Sequence, residues 1–269
     1  IDTVFAVKDN RGGNTINILG GTIISNGPYA VATKGSVNVS GGTITKNRVT
    51  RSTESWAGFG GGVLIAKNAV FTLKGTGVIS ENTASHGGAG VRVNSNTSTF
   101  VMEGGTISEN TTDGQGGGVD INGVFTMSGG TISGNTAATV GGGVCFGGTE
   151  TDIVYALSDD ASIPVGDDGK NDVYLADGKY ITISGALSAT AVANISLPAE
   201  SYQSGTKVLG DTATLVSAHY TKFSVADDSD GNSWSIASDG TLQLSTLYVA
   251  GAGKASDVGT GSDIPILGG

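Results

Sequence analysis

Short triplets with apolar, outward and apolar positions recur through the first half of the chain. One set is Ile16-Asn17-Ile18, Val37-Asn38-Val39, Phe71-Thr72-Leu73, Phe100-Val101-Met102 and Phe125-Thr126-Met127. A second set follows glycine runs: Val63-Leu64-Ile65, Val91-Arg92-Val93, Val119-Asp120-Ile121 and Val144-Cys145-Phe146. Between them stands GGTI, ending at Ile23, Ile44, Ile107 and Ile132, with a degenerate GTGVI ending at Ile79. These isoleucines are 21, 35, 28 and 25 residues apart, and an asparagine follows each by three positions: Asn26, Asn47, Asn82, Asn110 and Asn135.

Alternation over three to five residues predicts short strands with one buried face, and such strands must stack on their own copies to bury it. About three strands per repeat, separated by turns, fit one coil of a parallel β-helix whose coils rise by about 4.8 Å. The expected fold is therefore all-β: a right-handed, single-stranded parallel β-helix, with further strands or a β cap at its C-terminus. Glycines serve the corners, where positive φ is needed. The asparagines are expected to ladder between coils and satisfy corner backbone groups.

After Gly148 the repeat stops, yet eight alternating or apolar runs follow, from Asp152–Leu157 to Thr241–Leu244, bounded by Asp, Gly and Ser turns. This divides the chain into repeat coils (1–150), continuing coils or a β cap (151–246), and a glycine-rich tail (247–269). An open end would expose core side chains and strand edges, so a cover over the last coil is expected.

Composition narrows the function classes. Glycine is 46 of 269 residues and only 14% are charged, against about 25% in typical chains, which disfavours a helical protein. The net charge is −10 with 14 dispersed Lys and Arg, leaving no footprint for nucleic acid or an anionic membrane. The single cysteine, Cys145, excludes an intrachain disulfide framework and a cysteine-based zinc site. No stretch is apolar for the roughly 18 residues of a membrane span. A start at Ile1 without Met or signal peptide fits a processed or excised fragment.

GGTI-x-x-N followed by GGGV and an F-T-M strand resembles the glycine-rich repeats of pectate-lyase-like, right-handed parallel β-helix surface proteins. Similar repeats occur in adhesin-like proteins of host-associated bacteria. The resemblance covers about Ile16 to Gly148; ADGKYITISGAL resembles the segment that follows such repeats, and LYVAGAG in the tail resembles the opening of a further module. It implies a cell-surface or secreted bacterial protein, acting as a stalk and an adhesive surface towards host protein or glycan, beside neighbouring modules of its own chain. The same fold carries polysaccharide lyases, hydrolases and phage-spike-like depolymerases, and a head-to-tail filament is a further alternative.

Enzymes of this fold need clustered carboxylates, and the outward rows Leu64, Arg92, Asp120, Cys145 and Thr72, Val101, Thr126 hold none. Arg92 beside Asp120 reads as a surface ion pair across coils, worth under about 1 kcal/mol. Glu81 and Glu109 share a repeat position with Lys46 and Gly134, which reads as a solvated edge. Asp228, Asp230 and Asn232 have calcium-loop spacing, but Ser233 stands where the turn glycine belongs, so FSVAD and SWSIAS are expected to form a hairpin about an Asp-Gly turn. Glycine runs here precede strands and lack a phosphate-loop Lys-Ser/Thr. A non-enzymatic protein without metal or cofactor is expected. The segments between each asparagine and the next glycine run are expected to be loops along one edge, where solenoids build binding faces. They supply the candidate ligand-binding residues: Arg48, Arg51, Glu54, Trp56 and Phe59 from the longest, with His86, Asp113 and Gln115 beside them.

Overall fold

A computed structural model describes residues 7–9, 13–25, 30–50, 58–148, 153–166 and 170–245. The chain is an all-β, parallel β-solenoid of about six turns. Each regular coil has four strand segments rather than three. The coil of Phe100 runs along Thr99–Ser108, then Thr111–Thr112, then Val119–Ile121. Its first strand bends at Glu103 to Thr106, where the register against Val124–Ser133 shifts, so F-V-M and T-I-S form two arms of one sheet. The additional segment, Thr111–Thr112, lies in what the sequence reads as a loop.

Equivalent segments pair in register from coil to coil. The aromatic-bearing arms join an eleven-stranded sheet, and the V-x-apolar triplets a nine-stranded one, hereafter the valine face. The two-residue segments Arg48–Val49, Thr83–Ala84, Thr111–Thr112 and Thr136–Ala137 form a four-stranded threonine face.

The core lies inside this tube, and identical positions stack because each apolar triplet pairs residue for residue with the triplet of the next coil. Phe71, Phe100, Phe125 and Tyr155 form one file, with ring centroids 5.6, 4.7 and 5.3 Å apart. All four are fully buried. Tyr155 inherits a Phe position, so its hydroxyl is buried without a hydrogen-bond partner.

The asparagine ladder forms as expected over Asn47, Asn82, Asn110 and Asn135; Asn26 lies outside the described residues. Each amide ties three coils. Asn110 Nδ2 donates to Ile79 O on the preceding coil (3.0 Å) and to Asn135 Oδ1 on the next (2.9 Å). Its Oδ1 accepts from the backbone N and Nδ2 of Asn82 (3.0 and 2.9 Å). All four amide capacities are used inside the protein, which is how so polar a file can be buried. Gly118 is required beside it, because a Cβ there would stand 2.5 Å from Gly143 O and 3.0 Å from Asn135 Nδ2.

The second half continues the stack and is also capped. Val173–Leu175, Ala193–Ser196 and Phe223–Val225 extend the valine face, while Val154–Asp159, Ile181–Leu187 and Leu209–Gly210 extend the aromatic sheet. The ladder extends too: Asn171 Oδ1 accepts from Asn135 N and Nδ2 at 3.0 and 3.1 Å. A helix, Ala213–His219, then packs Val216 over the end, N-capped by Thr212. The sequence's Asp-Gly turn exists, but its flanking strands do not pair as a hairpin. Phe223–Val225 joins the parallel stack, and Trp234–Ile236 pairs antiparallel with Leu242–Leu244 one turn later. The parallel edge at Ala193–Ser196 claims the first strand, leaving the second to find a later partner. The tail, 247–269, lies outside the described residues.

Candidate functional site

The expected site residues fall into two places. Arg48 and Asp113 are exposed on the threonine face, where they line an open groove of about 490 Å³ running across three coils. Phe59, His86 and Gln115 lie together over the valine face, bridged in register as Phe59↔Gly87↔Gln115. Arg51, Glu54 and Trp56 lie outside the described residues.

The valine-face cluster overturns the surface reading of Arg92 and Asp120. Their side chains are 8% and 0% exposed, and Arg92 Nη1 bonds Asp120 Oδ2. The glycine run causes this burial by folding back over the strand. At Gly116, φ is 63° and a Cβ would stand 2.6 Å from both Asp120 Cβ and Val119 O. Only glycine lets the chain lie that close. Phe59 completes the cover, its ring centroid 4.6 Å from the Arg92 guanidinium carbon and 5.2 Å from the His86 ring. Gln115 Nε2 donates to Asp120 Oδ1 at 3.2 Å. With the Asn122 amide oriented to donate to Ile121 O, its oxygen accepts from Arg92 Nη2.

Burial raises the pKa of Asp120, against the lowering influence of Arg92 and of the Gln115 bond. A carboxyl whose folded pKa is raised adds stability that is present at low pH and is lost as pH rises through that pKa. Cys145, the next residue in this row, is also raised, by burial first and by Asp120 second, so its thiol is held away from the reactive thiolate. The Arg92–Asp120 pair is sealed from solvent and ties coils together, under a half-buried cover of Phe59, His86 and Gln115. Phe59 already has the Arg92 guanidinium over its ring and the His86 ring tilted against it.

The threonine face is open. Its outward positions form three axial rows: Lys46, Glu81, Glu109 and Gly134; Arg48, Thr83, Thr111 and Thr136; Thr50, Ser85, Asp113 and Ala138. Lys46, Glu81 and Glu109 hold left-handed φ of 57°, 53° and 55°, and Gly134 takes 64° at the same corner. That conformation swings the long side chains clear of the tube. Lys46 Nζ stands 3.9 Å from Glu81 Oε2, with both side chains about half exposed or more. Rather than loops, these segments are sheet, so their side chains are fixed in register.

The Asp228 loop is closed on itself. Its carboxylate accepts from Asp230 N, Asn232 N, Asn232 Nδ2 and Trp234 Nε1 at 2.8 to 3.0 Å. Those bonds lower its pKa to about 2, the Asn232 side chain contributing most. Among the described residues, no group of three or more His, Cys, Asp or Glu is arranged to hold a metal ion. Among the same residues, no helix is long and apolar enough to cross a membrane. Asp172, the last residue of the DDGKND sequence, accepts from Gly142 N (2.7 Å) and Ser196 Oγ, a structural use.

Neither the threonine rows nor the Phe59 seal was visible as such in the sequence. The signal for the rows was present: Thr83, Thr111 and Thr136 each follow the ladder asparagine directly. No protein-family model, curated protein or solved structure matches the chain.

Proposed function

We propose that this chain is a non-enzymatic β-solenoid module of a bacterial cell-surface or secreted protein. It serves as a stalk that holds its threonine face towards a host protein or glycan. The open groove across three coils is the observation that carries this reading. Its charged and hydroxyl groups are registered by sheet pairing, and order of that kind reduces the side-chain entropy lost on binding.

The acidic residues are used otherwise than an enzyme would use them. Asp120 is sealed, Asp228 is ringed by four local donors, Asp172 is bonded to Gly142 and Ser196, and Glu81 lies beside Lys46. The helix and antiparallel hairpin over the last coil favour a stack that ends there over a subunit adding head to tail through that end. The test is a glycan array and a panel of host extracellular proteins, run beside reducing-sugar and unsaturated-product assays on common polysaccharides. Binding lost in a Thr111→Tyr variant, without turnover, is the expected result. Turnover of any polysaccharide would contradict it.

A further inference from the structure

The threonine-face groove has an electrical direction along the solenoid axis. Lys46 and Arg48 stand on one coil, while Glu109 and Asp113 flank Thr111 two coils on, and the register Arg48↔Thr83↔Thr111 aligns these positions. Lys46 is turned to Glu81. Among the described residues, Arg48, Glu109 and Asp113 make no ion pair or side-chain hydrogen bond of their own. An unpaired cation and two unpaired anions are thus held about 9.6 Å apart along the axis, twice the strand spacing.

That distance selects a backbone. A polyproline II segment has three residues per turn and rises about 3.1 Å each, so residues i and i+3 lie on the same side, about 9.3 Å apart. A β-strand repeats its same-side residues at about 6.8 Å and falls out of step. A sugar chain would be favoured by an aromatic platform, and among the described residues that line the groove there is no aromatic side chain.

Resting on the reading that the threonine face is the binding side, we propose that the groove takes an extended, polyproline-II-like peptide segment lying along the solenoid axis. An acidic side chain of that segment meets Arg48. A basic one three residues away sits over Thr111, between Glu109 and Asp113. The hydroxyls of Thr83 and Thr111 face the peptide backbone between these anchors.

Fluorescence anisotropy with labelled, proline-rich peptides tests this. A peptide with Glu and Arg three residues apart is expected to bind about fivefold more tightly than Glu/Glu, Arg/Arg or adjacent-charge versions, the yield of two exposed ion pairs. The advantage should vanish near 0.5 M salt. In Arg48→Glu, an exposed change that leaves the fold intact, preference should switch to the Arg/Arg peptide. Equal affinities for all four peptides, or no switch in Arg48→Glu, would overturn the proposal. Oligosaccharide binding that Arg48→Glu abolishes, with no peptide preference, would overturn the peptide ligand and leave the binding face standing. No binding of either class, by the parent chain or the variant, would remove both.

Discussion

From Ile16 to Gly148 the chain writes the same coil repeatedly; from Ile153 to Ser245 it builds coils of the same kind with almost none of the same words. The ladder crosses that border. Asn135 arrives three residues after Ile132 in a GGTI motif, while Asn171 reaches the next rung eight residues after Ile163. Each donates its Nδ2 to the carbonyl of the ladder isoleucine one coil back, Asn135 to Ile107 O and Asn171 to Ile132 O. The aromatic file crosses as well, with Tyr155 stacked on Phe125. The stack demands an atom at a place, and the repeat is only the simplest way of supplying it. Where the repeat lapses, the demand is met with a flaw: Asn171 is supplied cleanly, whereas Tyr155 brings a hydroxyl with no partner.

The comparison can be broken most forcefully at the buried ion pair of the repeat half. Asp120→Ala leaves Arg92 charged, buried and unpaired, and should cost about 4 kcal/mol in chemical denaturation. A loss under about 1 kcal/mol would restore the surface reading.

Glycines of the two halves sharpen it next. Gly116→Ala places a Cβ 2.6 Å from backbone and side-chain atoms at φ 63°, so it should cost about 3 kcal/mol or more. Gly178 has φ 71° and nothing within 4 Å, so Gly178→Ala should cost only about 1 kcal/mol, the strain of the left-handed backbone. Similar losses at both would mean that the corner glycines matter for conformation alone.

Much of this is legible in the sequence. Strand positions follow from two-residue alternation, and the eight runs predicted after Gly148 each overlap an observed strand, Lys207–Leu209 by one residue. The ladder followed from a fixed Ile-to-Asn offset. What escaped was whatever depends on folding back. Arg92 and Asp120 alternate outward as a surface pair would, and nothing local says that Gly116 will cover them. The seven-residue helix is too short to show a period, although Thr212 is a fair N-cap. Of the eight candidate site residues, Arg48 and Asp113 line the groove, because residues after the ladder asparagine are held outward by sheet pairing. Phe59 and Gln115, both half-buried, lie against the buried Arg92 and Asp120 instead.

A smaller effect concerns the flaw in the aromatic file. Tyr155→Phe removes a buried hydroxyl that has no partner and should raise stability by about 1 kcal/mol. A loss instead would point to a bonded hydroxyl.

The smallest effect lies in the cap. The Asp228 carboxylate holds Asn232 and Trp234, and its pKa is lowered to about 2 from the usual 3.8. A depressed folded pKa contributes stability above the unfolded value and loses it as pH falls through the folded one. The Trp234 fluorescence of a Trp56→Phe chain should therefore titrate near pH 2. A midpoint at 3.8 or above would mean that the bonds to Asp228 do not form.

The continuity of the two halves is tested most directly by hydrogen exchange at one amide. The Asn135 N–H donates to Asn171 Oδ1 across the border, while the Asn82 N–H donates to Asn110 Oδ1 within the repeat. In Asn171→Ala, Asn135 should lose protection by about tenfold or more, with Asn82 unchanged. Unchanged exchange at Asn135 would contradict a single stack running from repeat to cap.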